Sequence, residues 1–283
     1  MKKRLVLILN GKGGVGKSFF AVNFIQYLKD RPFPHVAFDS DNENSTLKRF
    51  HPEAGFLNLA SPRGLDPMIQ SLDGSNLVVV DCRAASTDLF LDFFTSTDLS
   101  NLLAGLDAGL TLAMPVGAEL DSIEQIQRLI HELADRCQYV VIRNAVHNDT
   151  FALFEASKVR HRLTTELGAK EISMSRMQNW LVDGLNRNNL TPTTARNSPE
   201  FYLLDRQRLI MWQRRLYEQI DSAVDLSRQF LLHQVFDSRE RVGRGLLRHL
   251  HAKRSRIFGL CRHEGETRGE RGSRRRGGLR PGL

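Results

Sequence analysis

The 283-residue chain is 41% hydrophobic, 8% aromatic and 25% charged, an ordinary globular composition that excludes collagen-like, wholly disordered and disulfide-scaffold classes. Its formal net charge of +8 is concentrated at one end. Residues 239–283 hold 14 Lys and Arg against 4 Asp and Glu, a net of +10, and the remaining 238 residues stand at −2.

The start, Met1-Lys2-Lys3-Arg4, is basic, and the apolar run 5–9 that follows it stops at Asn10 before a cluster of glycines. That pattern predicts a first strand covered on both faces, not a signal peptide. Residues 19–29 predict a helix closed by Asp30-Arg31-Pro32, and 36–38 predict a short strand ending in acids. Another apolar strand, 77–80, ends at Asp81, and 110–116 forms the next. A helix over 120–135 carries Ile123, Ile126, Leu129, Ile130 and Leu133 on one face, and 139–142 is a fifth strand. Residues 151–167 read as helical, and 199–236 as one long helix or two shorter ones. Strands alternating with helices imply right-handed βαβ units, hence an α/β fold with a doubly wound, mostly parallel sheet. The apolar runs are far short of the roughly 20 residues a membrane-spanning helix needs. The three cysteines, Cys82, Cys137 and Cys261, show no metal spacing and fit a reduced cytoplasm. Cys82 reads as a buried structural thiol, and the histidines show no metal-ligand spacing.

The first strand runs directly into Gly11-Lys12-Gly13-Gly14-Val15-Gly16-Lys17-Ser18-Phe19. This is the phosphate-binding pattern G-x-x-x-x-G-K-S in its strand–loop–helix setting. The glycines let the backbone curl so that successive N–H groups face phosphate oxygens, and the following helix adds its positive end. Lys17 would neutralise the β- and γ-phosphates, and Ser18 would hold Mg²⁺ through its hydroxyl. Past the second strand lies Asp39-Ser40-Asp41-Asn42-Glu43, and Asp81 closes the buried strand 77–80. A carboxylate at such a strand end suits Mg²⁺, and one beside the γ-phosphate suits positioning of the attacking water.

Lys12 narrows the comparison. The string Lys12-Gly-Gly-Val-Gly-Lys17-Ser18 is a deviant Walker A motif, and the chain resembles the ParA/MinD family of dimerising ATPases. The resemblance spans residues 1–235 in element order and is most specific in the first 20 residues. It implies ATP and Mg²⁺ as cofactors and a homodimer formed on ATP binding. Lys12 would reach the partner's phosphates in the manner of an arginine finger supplied in trans. It also implies Asp41 as the water-positioning acid, Asp39 near the metal with Ser18 and Asp81, and Asn144 as either an adenine reader or a cap of the next turn. Two stretches depart from the common family pattern, Asn42-Glu43 and Cys82-Arg83-Ala84-Ala85. With the run from Asp81 to Asp88, they look closest to plasmid-encoded StbB-like stability and TraL-like transfer members.

The organisation predicted is an ATPase domain over 1–237 and a basic Gly/Arg-rich tail over 238–283, with nine of the 21 glycines in the tail. Within it Leu246, Leu247, Leu250, Ile257 and Phe258 recur at helical spacings among arginines. Such a segment suits either an anionic membrane surface or nonspecific DNA. The function this implies is a slow, partner-stimulated ATPase switch in the cytoplasm, serving plasmid partition or conjugative transfer through a partition or transfer protein. Alternatives left open by the residues are a MinD-like membrane-associated regulator, a metabolic P-loop ligase or kinase, and a non-hydrolysing nucleotide-binding adaptor.

Overall fold

A computed structural model describes residues 3–146 and 150–223. The boundary at 237, the basic tail and residues 224–236 of the stretch 199–236 lie outside those residues. Seven strands form one parallel sheet in the order β3-β2-β4-β1-β5-β6-β7. They are β1 (Lys3–Ile8), β2 (Val36–Asp39), β3 (Gly55–Phe56), β4 (Leu77–Asp81), β5 (Ala108–Val116), β6 (Gln138–Asn144) and β7 (Lys170–Met174). β1 lies at the centre, in register with β4 from Arg4 opposite Leu77 to Ile8 opposite Asp81, and with β5 on its other side. The chain first winds outward to β2 and β3, then returns through β4 and crosses to β5. The carboxyl ends of β1, β4 and β5 therefore meet at the switch point, where open α/β sheets bind ligands.

The central strands are almost wholly apolar over their middles because both faces are covered, Thr111 of β5 being the polar exception. Leu5, Leu7 and Leu9 point into the core shared with Val78, Val80, Leu110 and Leu112. Helices α3 (Asp66–Gly74), α4 (Thr87–Ser96), α5 (Leu99–Gly105) and α6 (Leu120–Leu133) add Met68, Phe90, Leu103 and Ile126 to that core. Alternation along the strand turns Val6 and Ile8 the other way. Helix α1 (Lys17–Asp30) is buried on nearly every side, because α11 (Leu203–Ala223) covers its outer face. Phe19 meets Trp212 edge-on at 5.7 Å, and Tyr27 meets Tyr217 at 5.1 Å. Short helices α2 (Thr46–Phe50), α9 (Asn179–Asn188) and α10 (Pro192–Ala195) complete the arrangement. Among the described residues no helix is long and apolar enough to cross a membrane.

The helix expected over 151–167 is broken. It divides into α7 (Ala152–Glu155), α8 (Lys158–His161) and a π turn over Arg162–Glu166. Ser157 causes the break, since its hydroxyl caps α8 by accepting from the Arg160 N–H at 3.1 Å. Thr164 and Thr165 then return their hydroxyls to the backbone carbonyls of Arg160 and His161, a local competition that loosens helical turns.

Candidate functional site

Asn10 closes β1 and is wholly buried. Its Nδ2 donates to the carbonyls of Pro115 at 2.8 Å and Ser122 at 3.0 Å, while its Oδ1 accepts from the Lys12 N–H at 2.9 Å. One amide thus fastens the loop to β5 and to the start of α6. Gly14 and Gly16 take φ of 77° and 92°, the left-handed region in which only glycine is free of strain. Gly16 is also held to its size by a neighbour: a Cβ there would lie 2.0 Å from Asn144 Nδ2. Gly11 is pressed in the same way, since a Cβ at that position would lie 2.1 Å from Gln125 Oε1.

Lys17 is the first residue of α1 and only 7% exposed. Its Nζ donates to the Lys12 carbonyl at 2.8 Å, which curls the lysine back over the loop. Burial pushes its pKa down, against the opposing pull of Asp81, Cys82 and Asp41. Asp81 is 2% exposed; the Ser18 hydroxyl stands beside its carboxylate, yet among the described residues neither oxygen has a partner at hydrogen-bond distance. Burial drives its pKa up to about 8, with the Ser18 hydroxyl and Lys17 pulling it down and Asp39 and Asp41 pushing it further up. An orphaned buried carboxylate next to a hydroxyl and a phosphate cradle is a set of hard oxygen donors, and it fits Mg²⁺.

The two acids after β2 differ in their surroundings. Asp39 is fully buried, its Oδ1 accepting from the Asp41 N–H at 2.9 Å and its Oδ2 from the Lys48 N–H at 3.2 Å. Both oxygens therefore shape the loop that leads to α2. Asp41 is half-exposed at the rim and accepts from the Glu43 and Asn44 N–H groups and from Asn44 Nδ2. Burial alone would raise its pKa, but these bonds and the Arg83 charge outweigh it and hold the carboxyl below its usual range. Ser40, between them, donates its N–H and its hydroxyl to the Asp81 carbonyl, both at 3.0 Å, and accepts from the Arg83 N–H at 2.9 Å. The segment after β4 is tied to the phosphate loop as well, through Ala85 N–H to the Gly11 carbonyl at 2.9 Å. Cys82 is buried and its thiol pushed well above its ordinary value by that burial.

Lys12 points across to the start of α6, where its Nζ lies 2.9 Å from Glu119 and 3.0 Å from Asp121. Hydrogen bonds to Glu119 and then Asp121 raise its pKa. Asn144 serves the loop. Its Nδ2 donates to the Val15 carbonyl at 3.1 Å, and its Oδ1 accepts from the Val146 N–H at 3.3 Å. The loop residues, Asp39, Asp41, Asp81 and Asn144 thus converge on one crevice. Asn10, Ser40, Glu119 and Asp121 belong to it too, although no sequence pattern singled them out. Asn10 alone left a signal, as the one polar residue between an apolar strand and the glycines.

Residues 6–190 match the CobQ/CobB/MinD/ParA nucleotide binding domain. The chain belongs to that nucleotide-binding family. It is 24% identical to protein MobD of Acidithiobacillus ferrooxidans over 230 residues, 79% of this chain and 99% of MobD. It is also 24% identical to protein TraL of Escherichia coli over 245 residues, with the same two coverages. Among solved structures, the MinD cell division protein of Aquifex aeolicus aligns over 76% of this chain and 96% of its own, with 17% identity and a TM-score of 0.43. A nucleotide-binding protein of Archaeoglobus fulgidus in complex with ADP aligns over 66% and 86%, with 12% identity and a TM-score of 0.44.

Proposed function

We propose that this chain is an ATP-hydrolysing switch that dimerises around bound nucleotide and acts in plasmid transfer or partition. The observation that carries the reading is the state of the two lysines. Lys17 is folded into the loop by its bond to the Lys12 carbonyl, where incoming phosphates would take over its three donors. Lys12 projects from the same loop, and among the described residues its ammonium is held by two acids on exposed side chains. A phosphate-seeking lysine that its own chain does not direct into the cradle suits donation to a second copy.

In this reading the loop N–H groups and Lys17 bind the β- and γ-phosphates. Ser18 and Asp81 would hold Mg²⁺, which would supply charge neutralisation at the transferring phosphoryl group. Asp41, ionised at neutral pH and at the rim, orients the attacking water. Ser40 joins the Asp41 loop to the segment after β4, so loss of the γ-phosphate would be felt in both at once. A ligand that contacts these loops in one nucleotide state only can bias dimerisation. The likeness to MobD and TraL supports the plasmid-transfer setting.

Size-exclusion chromatography with light scattering, with and without ATP–Mg²⁺, tests the reading. The wild type should shift from monomer to dimer on ATP, Lys12→Ala should stay monomeric, and Asp41→Ala should persist as a dimer after the wild type has dissociated. Identical elution of the wild type in both conditions overturns it.

A further inference from the structure

We propose that Arg83 reads the third phosphate of the bound nucleotide from within its own chain, so that the site separates a triphosphate from a diphosphate. This rests on the nucleotide reading above and adds a residue which that reading does not use. Arg83 lies two positions after Asp81, in the stretch Cys82-Arg83-Ala84-Ala85 that departs from the common family pattern. Two hydrogen bonds hold the stretch over the site. The Arg83 N–H donates to Ser40 Oγ at 2.9 Å, beside Asp41, and the Ala85 N–H donates to the Gly11 carbonyl of the phosphate loop at 2.9 Å. Ala84 faces the same loop, since a Cβ added to Gly13 would lie 3.6 Å from its own. The Arg83 carbonyl accepts from Ser86 Oγ at 2.8 Å, so the backbone of the arginine is fixed on both sides. Ala85 takes a φ of 56°, a left-handed conformation strained for alanine, which persists where the surroundings impose it and gathers at functional sites.

The side chain on this fixed backbone lacks an anion. Arg83 is half-buried, and among the described residues its guanidinium makes no hydrogen bond or ion pair. Asp41 is near enough to feel its charge, yet the two are not paired. A guanidinium drawn partly out of water loses hydration that here no carboxylate replaces. Its Nε is sealed from water, so no ligand reaches that atom, and the two terminal nitrogens are the ones a ligand would meet. They form the planar fork that matches the oxygens of a phosphate. In the reading above, Asp41 and Asp81 stand at the γ-phosphate end of the nucleotide, and Arg83 is anchored between their two segments. The anion brought to that place is the third phosphate, which ADP lacks. An arginine supplied in cis can neutralise a transferring phosphoryl group. Lys12 of the proposed dimer would come from the other chain, so the two cations would act independently.

Calorimetric titration of the full chain with ADP and with the non-hydrolysable β,γ-imido analogue of ATP, both with Mg²⁺, tests this. The proteins are the wild type, Arg83→Gln, Lys12→Ala, the double variant of those two, and Lys17→Ala. Arg83→Gln should weaken the analogue about tenfold or more, as loss of a charge-assisted bond to phosphate does, and leave ADP as it was. Retained ADP binding also certifies that the variant is folded. The same selective loss should appear when Arg83→Gln is added to Lys12→Ala, a background in which the proposed dimer is not expected. An unchanged ratio of the two affinities overturns the proposal. Equal weakening of analogue and ADP overturns it as well, by assigning Arg83 to holding the site together. A selective loss confined to chains that keep Lys12 overturns it by assigning Arg83 to the dimer instead of its own nucleotide. Each of these leaves the nucleotide reading intact. Failure of the wild type to bind either nucleotide, or undiminished binding by Lys17→Ala, removes the nucleotide reading itself and this proposal with it.

Discussion

A carboxylate at 2% exposure with neither oxygen hydrogen-bonded among the described residues is a burden that the fold carries for another reason. Ionised, it forfeits its hydration, and Lys17 nearby is itself held below its ordinary pKa by burial. Mg²⁺ with its attached waters would satisfy these oxygens, so the cost belongs to the nucleotide-free state. Asp81→Asn keeps the shape and removes the titratable group that burial holds at a raised pKa. The nucleotide-free variant should therefore melt at a higher temperature, by a stability gain of about 1–3 kcal/mol, while the proposed hydrolysis is lost. Calorimetry alongside a phosphate-release assay checks both halves, and a variant less stable than the wild type would show that the ionised carboxylate is supported in the native state. Residues of this kind are legible in sequence because chemistry confines them: Lys17, Ser18 and Asp81 each stand at a fixed offset from an apolar strand. Asn10, Ser40, Glu119 and Asp121 act through partners far along the chain, and a spacing rule does not reach them. Lys12 and Asp121 are 109 positions apart.

At the level of elements, the segment that leads out of the Asp39–Asp41 loop is pinned by a histidine. His51 follows α2 and is 1% exposed. Its Nε2 lies 2.9 Å from the Val22 carbonyl and its Nδ1 2.9 Å from Lys29 Nζ. The lysine can only donate, so Nδ1 accepts, Nε2–H donates to the carbonyl, and the ring is neutral. Burial is the main force lowering its pKa. The Val22 carbonyl and Glu53 oppose it, and Lys29 and His35 reinforce it. Because the folded value lies below the unfolded one near 6.5, the unfolded chain binds the extra proton first. The stabilisation is complete above that pH and is lost as pH falls towards the folded value. Between pH 7 and 5 the wild type should lose about 1 kcal/mol more stability than His51→Gln. Urea melts at the two pH values measure it, and parallel losses in the two proteins would exclude His51 as the cause. The elements themselves were unevenly legible. Strands 5–9, 77–80 and 110–116 stand out because burial on both faces leaves almost no polar position, Thr111 being the exception. β3 is only two residues long, too short to carry a period, and β7 presents Lys170 and Glu171 at the sheet edge, where one-sided exposure dilutes the apolar signal. The break at Ser157 depends on a cap that competes with a helical reading of equal local quality.

For the molecule as a whole, the proposed dimer would set the start of α6 in competition with a partner subunit for one lysine. Glu119 and Asp121 each leave 68% of their side chain in water, and Lys12 leaves 32%. Exposed ion pairs of this kind contribute little and weaken with salt, so the hold is easily released. In the proposed dimer it would nevertheless set a threshold, because Lys12 would have to leave both acids before reaching phosphates across an interface. An acid pair that merely decorates the surface would have no influence on assembly. One that restrains Lys12 makes a signed prediction: Glu119→Gln with Asp121→Asn should lower the ATP concentration needed for half-maximal dimerisation. The size of the effect follows from the exposure, roughly two- to fivefold at low ionic strength and less as salt is added. Light scattering across an ATP titration at two salt concentrations reads it. Removing two negative charges also eases the approach of any anion, so the same titration on Lys12→Ala carrying both acid substitutions separates the causes. If the acids act through Lys12, the triple variant stays monomeric; if they act only through the field around the site, it gains as much as the double variant does.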